Sequence, residues 1–212
     1  MLSNPKVDPR FKNAMFAADT WKGYVQQYAS QVQDALEQVP ASALDDAYRV
    51  ITTAVNENRR VFVAGNGGSA AIADHLCCDW TKGCHNPELA PLRTHSLASN
   101  VAMLTAIAND FGYDAVFSRQ LEMLGSAGDV LLLISSSGNS PNIVAAVDTA
   151  KAMGIVTVGL TGFSGGVLAA RADVSLHVPY ENYGLVEDCH QMLMHTFGQL
   201  FVRRREQGTQ QG

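Results

Sequence analysis

Five short runs of β-branched and aliphatic residues, each followed by a stretch of helical periodicity, constrain this chain more than any other feature. RRVFVAG (59–65), RTHSLA (93–98), DVLLLI (129–134), IVTVGL (155–160) and DVSLHV (173–178) read as strands. Helical patterns fill 69–82, 100–108, 116–124, 141–153 and 184–204, and a loop with a short helix spans 161–172. Alternation at this spacing predicts an α/β fold, a doubly wound five-stranded parallel sheet flanked by helices. DVLLLI is apolar throughout, which predicts a strand buried on both faces at the centre of the sheet.

Ahead of the first strand lie 58 residues of helical pattern. Phe16, Val25, Tyr28, Val32, Leu36 and Val39 recur at helical intervals within 11–39. Pro40 closes that segment, and 41–58 forms a second helix with Leu44, Tyr48, Ile51 and Val55 on one face. Ser42 and Asp45 fit its capping box loosely. So long an amphipathic extension has little of its own domain to lean on, and we expect it to pack on a partner subunit. The expected organisation is an N-terminal helical oligomerisation segment (1–58), an α/β domain (59–206) and a polar tail (207–212).

The chain has 212 residues, enough for one core without disulfides. A net charge of −5 argues against a general nucleic-acid binder, which needs a basic face. No apolar run reaches the roughly 20 residues that span a bilayer. Pro5, Asp8 and Pro9 interrupt the place where a signal peptide needs an apolar stretch. Cys77, Cys78, Cys84 and Cys189 lack C-x-x-C spacing and read as reduced, buried thiols. The expectation is a cytoplasmic protein with no membrane contact.

Ligands of an open parallel sheet bind outside the carboxyl ends of its strands. Two loops at that end have unusual composition: Gly65-Asn66-Gly67-Gly68-Ser69 after the first strand, and Ser135-Ser136-Ser137-Gly138-Asn139-Ser140 after the third. Each sets hydroxyls and backbone N–H groups at a helix N-terminus, which favours an anion. The same glycines and serines also serve as ordinary turn and capping residues. Neither loop is G-x-x-x-x-G-K-[ST], which argues against a nucleotide P-loop. The first is a weak dinucleotide pattern, with Ala70 at its third glycine position and no acidic residue ending the second strand.

His75 and Asp79 stand at i and i+4 on the helix after the first loop, about 6 Å apart at Cβ. Glu187, Gln191 and His195 advance by four on the last helix, on a face that drifts about 40° per step. His190 sits off that face and reads as a neighbour. Two helices each offering one His and one carboxylate suit a four-ligand zinc site of His75, Asp79, Glu187 and His195. An i,i+4 His–Asp pair is also a common stabilising contact.

GNGGSAAIADH, ASNVAMLTAIANDFGYDAVFSRQ, ISSSGNSPN, VGLTGFSGG and EDCHQMLMH, in this order, resemble the sugar isomerase (SIS) family, within it the phosphoheptose isomerase branch. The resemblance covers roughly residues 11–202. It implies an aldose–ketose isomerase that interconverts sedoheptulose 7-phosphate and a manno-heptose 7-phosphate, a heptose precursor of lipopolysaccharide or related glycans. It further implies a homotetramer with active sites near subunit contacts and one zinc per subunit. By the same resemblance Asn66, Gly67, Gly68 and Ser69 contact substrate, as do the Asn109–Asp110 pair, Asp79 and Glu187. Ser135, Ser136, Ser137 and Ser140 hold the phosphate, and His75, Asp79, Glu187 and His195 hold the metal. Asp79 acts as the base between C1 and C2, and His195 as the acid.

Three positions depart from the family pattern: Asp79 stands for its usual Glu, Glu187 for its usual Gln, and Gly83 for a frequent Arg, with Lys82 next to it. Asp79 is one C–C bond shorter than Glu, about 1.5 Å. Two acidic groups strengthen the expected need for a dication. Two other readings stay open: a non-catalytic sugar-phosphate-binding module that regulates a partner such as a replication initiator, and an isomerase of another ketose phosphate.

Overall fold

A computed structural model describes residues 16–209. The expected helix start at Phe11 and the end of the polar tail lie outside these residues. Five parallel strands form one sheet in the order β2-β1-β3-β4-β5: β1 (Arg60–Gly65), β2 (Arg93–Ser96), β3 (Val130–Ser135), β4 (Val156–Thr161) and β5 (Val174–His177). β3 is central and buried along its whole length, as its unbroken apolar run predicts.

Alternation along the strands divides the interior into two cores. Val61, Val63, Leu132 and Ile134 face one side and pack with α1 (Trp21–Glu37), α2 (Ala41–Asn56), α3 (Gly68–Cys78) and α8 (Tyr183–Thr209). Phe62, Ala64, Leu131 and Leu133 face the other. They pack with α4 (Val101–Phe111), α5 (Ser118–Leu124), α6 (Pro141–Ala152) and α7 (Gly166–Arg171). Asp129 fastens the start of the sheet: its buried carboxylate accepts the backbone N–H groups of Arg60 and Ser126, 2.9 Å each. At the far end β4 and α8 nearly touch. A Cβ on Gly162 would lie 2.4 Å from Val186, so only glycine fits there.

The extension departs from its sequence reading. α1 begins at Trp21, where the Thr20 hydroxyl caps the N–H of Gly23. It leans on its own domain: Tyr28 donates to Asp188 of α8 at 2.5 Å, and Tyr180 donates to Gln31 at 2.5 Å. Val32, Ala35, Ile51 and Val55 belong to the same core as the sheet. Trp21, 84 % exposed, and Val25 remain outside it. α2 has Pro40 at its N-cap and no side-chain cap, so the loose Ser42–Asp45 box does not form; proline's fixed extended φ starts the helix instead. α3 ends at Cys78 and passes into a π-turn, Asp79–Gly83. Cys84 and Cys189 are buried and Cys77 is partly so, but Cys78 is exposed, which corrects the expectation for that thiol. Adjacent helical residues point about 100° apart, so the pair cannot share one face. No described helix is long and apolar enough to cross a membrane.

Candidate functional site

The first Gly-rich loop turns β1 into α3. Gly67 holds φ +55, a left-handed conformation that favours glycine. Gly65 is fixed by contact, since a Cβ there would lie 2.6 Å from the Ser69 backbone. Asn66 joins this loop to the serine loop: its amide exchanges two hydrogen bonds of 2.9 Å with the Asn142 amide, in the first turn of α6. The Tyr113 hydroxyl donates to Asn66 Oδ1 at 2.9 Å. The Asn109 amide donates to Asp110 at 2.9 Å, and both side chains are exposed near the end of α4.

The serine loop is braced from behind. Gly138 holds φ +66, and a Cβ there would lie 2.0 Å from the Gly165 carbonyl oxygen. Gly162 N–H donates to the Ser136 carbonyl at 2.8 Å and Leu168 N–H to that of Gly138 at 2.9 Å. Asn139 accepts the N–H of Val167 at 3.0 Å, so that side chain is occupied in bracing. Ser135 accepts from Gly138 N–H at 3.2 Å. Ser136 Oγ is buried and has no hydrogen-bond partner. Ser140 is the N-cap of α6 and makes no side-chain cap bond. A buried hydroxyl without a partner is costly, and a ligand oxygen would satisfy it.

Two candidate anion sites thus differ. At the start of α3 the Glu187 carboxylate already lies against Gly68; a Cβ on that glycine would be 2.5 Å from Oε2. Its own negative charge occupies the helix end. Burial, with Asp188 beside it, raises the Glu187 carboxyl above the ordinary range. The α6 end, with its spare hydroxyls, holds no such carboxylate.

α3 and α8 lie side by side, and α8 presents one side chain per turn to α3: Glu187 to Gly68, Gln191 to His75, His195 to Asp79. His75 Nε2 and His195 Nε2 lie 3.3 and 3.4 Å from the same oxygen, Asp79 Oδ2. The imidazole rings meet edge to face, 5.0 Å between centroids. Gln191 Nε2 sits 2.8 Å from His75 Nδ1 and 3.3 Å from His195 Nε2. The donor atoms of His75, Asp79 and His195 lie within 4.8 Å of one another. A tetrahedral zinc with bonds of about 2.0–2.1 Å separates its ligand atoms by about 3.3–3.4 Å. Two imidazoles and one carboxylate at these spacings fit that ion and leave a fourth position open.

Three of the four expected ligands therefore gather, and Glu187 does not join them. It stands eight residues before His195, about 12 Å along the helix axis, and rests on Gly68. Gln191 fills the place between. That residue was visible in the sequence on the same face as Glu187 and His195, though its role was not. Asn142 and Tyr113 were missed as well. Asn142 lay in the motif after the serines, whereas nothing in the NDFGYD turn marked Tyr113. His190 is the neighbour expected: fully buried, its Nε2 lies 3.2 Å from the Thr161 carbonyl, and burial lowers its pKa to about 4.

A doubly wound sheet with a serine-capped helix at the end of its central strand, beside a His–Asp–His cluster, defines a SIS-type α/β protein. Residues 26–162 match the model of the SIS domain. The phosphoheptose isomerase of Campylobacter concisus is 38 % identical over 157 residues, 74 % of this chain and 82 % of that protein. That of Rhodospirillum rubrum is 39 % identical over 150 residues, 71 % and 79 % respectively. The solved phosphoheptose isomerase of Neisseria gonorrhoeae superposes with a TM-score of 0.77 at 33 % identity, covering 85 % of this chain and 95 % of that one. The Francisella tularensis phosphoheptose isomerase gives 0.80 at 29 % identity, with coverage of 89 % and 100 %. The chain belongs to the SIS family and, within it, to the phosphoheptose isomerase branch.

Proposed function

We propose that the chain is an aldose–ketose isomerase converting sedoheptulose 7-phosphate to D-glycero-manno-heptose 7-phosphate. The observation that carries this reading is the His75–Asp79–His195 cluster, set on the α3–α8 groove that starts at the Asn66–Asn142 link to the serine loop. The relatives of matching length support the reaction class.

The phosphate seats on the α6 N-terminus, with Ser135, Ser136, Ser137 and Ser140 as neutral donors. Asn66 and the backbone of Gly67, Gly68 and Ser69 hold the sugar chain, and Glu187 accepts hydrogen bonds from its hydroxyls. Asn109 and Asp110 close the pocket at the end of α4. The C1–C2 end then lies at the cluster. Both imidazole contacts of Asp79 use Oδ2, which leaves Oδ1 to take the C1 proton. The C1–H electron pair becomes the C1=C2 bond of an enediol, and the C2 carbonyl oxygen gains a proton. Return of a proton to C2, with O1–H deprotonated, gives the aldose. His195, or a group it positions, moves the proton between O1 and O2. His75, Asp79 and His195 would hold a divalent ion, zinc by the donor set, which when bound would supply Lewis-acid polarisation.

The exposed Trp21 and Val25 on α1, and Val101 and Phe111 on α4, suit contacts between copies in a homotetramer. The reaction belongs in the cytoplasm, where the product feeds lipopolysaccharide or a related glycan. A sugar-phosphate sensor needs the serine loop and not the cluster, so the cluster favours a catalyst.

The test is proton NMR of purified protein with sedoheptulose 7-phosphate in deuterated water, metal content measured on the same sample. The expected result is an aldose product with solvent deuterium at C2. Binding of the sugar phosphate with neither product nor deuterium uptake overturns the catalytic reading and leaves the sensor. Turnover of a shorter ketose phosphate alone overturns the substrate.

A further inference from the structure

At the opposite end of the strands, on the other face of the sheet, two arginines stand in register. Arg60 opens β1, Arg93 opens the edge strand β2, and they are directly paired. The next rung on the same face pairs Phe62 with His95, ring centroids 5.8 Å apart and edge to face. With Leu124 at the end of α5 they line a hollow of about 180 Å³. Like charges directly opposite on neighbouring strands are unfavourable, and no acidic side chain among the described residues lines this hollow. Asp129, which touches the Arg60 backbone, is buried and directs its two oxygens to the N–H groups of Arg60 and Ser126. One guanidinium is anchored: Arg60 Nη1 donates to the Leu124 carbonyl at 3.0 Å. Arg93 and His95 are exposed, and among the described residues no hydrogen bond or ion pair engages the Arg93 guanidinium.

We infer that this hollow is a second binding site, for a small oxyanion of the phosphate class. Arg60 and Arg93 offer forked N–H donors suited to phosphate oxygens, and the His95 ring adds a donor. Phe62 gives the hollow an apolar floor. The hollow exceeds the roughly 10–15 Å³ of probe volume that one water needs and lies below the range of drug-sized pockets. That space suits a free phosphate or the phosphate of a small ester. Five residue steps along β1, about 16 Å, separate Arg60 from Gly65 at the start of the Gly-rich loop. The site is therefore independent of the serine loop. An anion here neutralises the rung that ties the edge strand to the sheet, so its binding raises the melting temperature.

The experiment is calorimetric titration of the full chain, at constant ionic strength, with inorganic phosphate and in parallel with methyl phosphate. Arg93→Gln removes a guanidinium that no hydrogen bond or ion pair from the described residues engages, and Arg93→Lys keeps the charge without the fork. Wild type binds one more equivalent per chain than Arg93→Gln, or binds it at least tenfold more tightly, and Arg93→Lys falls between. The melting temperature of wild type rises further with phosphate than that of Arg93→Gln, and isomerase turnover is the same in both. Whichever titrant binds more tightly identifies the source of the phosphate. Equal stoichiometry and affinity in wild type and Arg93→Gln overturn the inference. So does an Arg93→Gln variant that changes oligomeric state with an unchanged anion count, which makes the rung a subunit contact. A serine-loop variant that loses its own equivalent, or never had one, bears on the isomerase reading and leaves this result intact.

Discussion

Lengthening Asp79 by one methylene, Asp79→Glu, restores the residue usual in the family and yet should impair this enzyme. Its Oδ2 lies 3.3 Å from one imidazole and 3.4 Å from the other. Those separations equal the edge of a tetrahedron with bonds of about 2.0–2.1 Å. An extra C–C bond moves the carboxylate by about 1.5 Å. The longer chain either pushes past the imidazoles or folds back off its rotamer, at about 0.5–1.5 kcal/mol. A misplacement near 1 Å lowers a rate about 10²-fold, which is about 2.7 kcal/mol of transition-state stabilisation. The expected outcome is a fall in kcat/KM of about two decades, read from initial rates with sedoheptulose 7-phosphate, and weaker zinc binding in a competition titration. Asp79 is half exposed, at the start of the π-turn, so unfolding stability should change by about 0.5 kcal/mol or less. Asp79→Asn should abolish turnover and leave phosphate affinity intact. An Asp79→Glu enzyme as fast as wild type would refute the claim that this cluster is dimensioned around the shorter acid.

Ser136→Ala removes a buried hydroxyl that has no protein partner. Urea titration should show stability unchanged or raised by up to about 1 kcal/mol, while KM for the phosphorylated substrate rises about tenfold with kcat retained. Loss of stability without a KM effect would exclude the phosphate contact. Chelation of the purified enzyme should remove most turnover, and added zinc should restore it; full activity in metal-free protein would refute the metal role. His190 supplies a pH prediction. Burial lowers its pKa to about 4, so below the ordinary imidazole value, near 6.5, the unfolded chain takes a proton that the native chain refuses. Stability from this group is therefore complete above pH 6.5 and falls between 6.5 and 4 by about 1.4 kcal/mol per unit. Urea titrations at pH 7 and pH 4.5 should show a larger loss in wild type than in His190→Phe, and equal losses would remove His190 as the cause.

Periodicity carried much of the fold because it is a local property. The apolar run of β3 marks a strand covered on both sides, and the alternation in VFVA separates Val61 and Val63 from Phe62. Spacing of four likewise put His75 with Asp79, and Gln191 with His195, on single helical faces. What spacing could not give was the phase between α3 and α8. That depends on small residues where the two approach, such as Gly68 beneath Glu187, and on Gly162 beneath Val186. Without it, Glu187 and Gln191 were equally eligible for the place beside His75, and the carboxylate was preferred on its chemistry. That the extension also packs on its own domain was illegible for a related reason: Tyr28 and Gln31 find partners about 150 residues away, in Asp188 and Tyr180. Tyr113 has no local pattern at all; only the tertiary contact with Asn66 marks it.

α8 runs for 27 residues without interruption, and it meets α1, the turn after β4 and every station of the groove in sequence. It behaves as a keyed shaft whose teeth mesh with several neighbours at once. One residue inserted between Val186 and His195 would rotate everything downstream by about 100° and advance it by 1.5 Å. His195 would leave Asp79 while Val186 stayed on Gly162. Such an architecture tolerates the exchange of a single tooth, as at Glu187, but not a change in the length of the shaft.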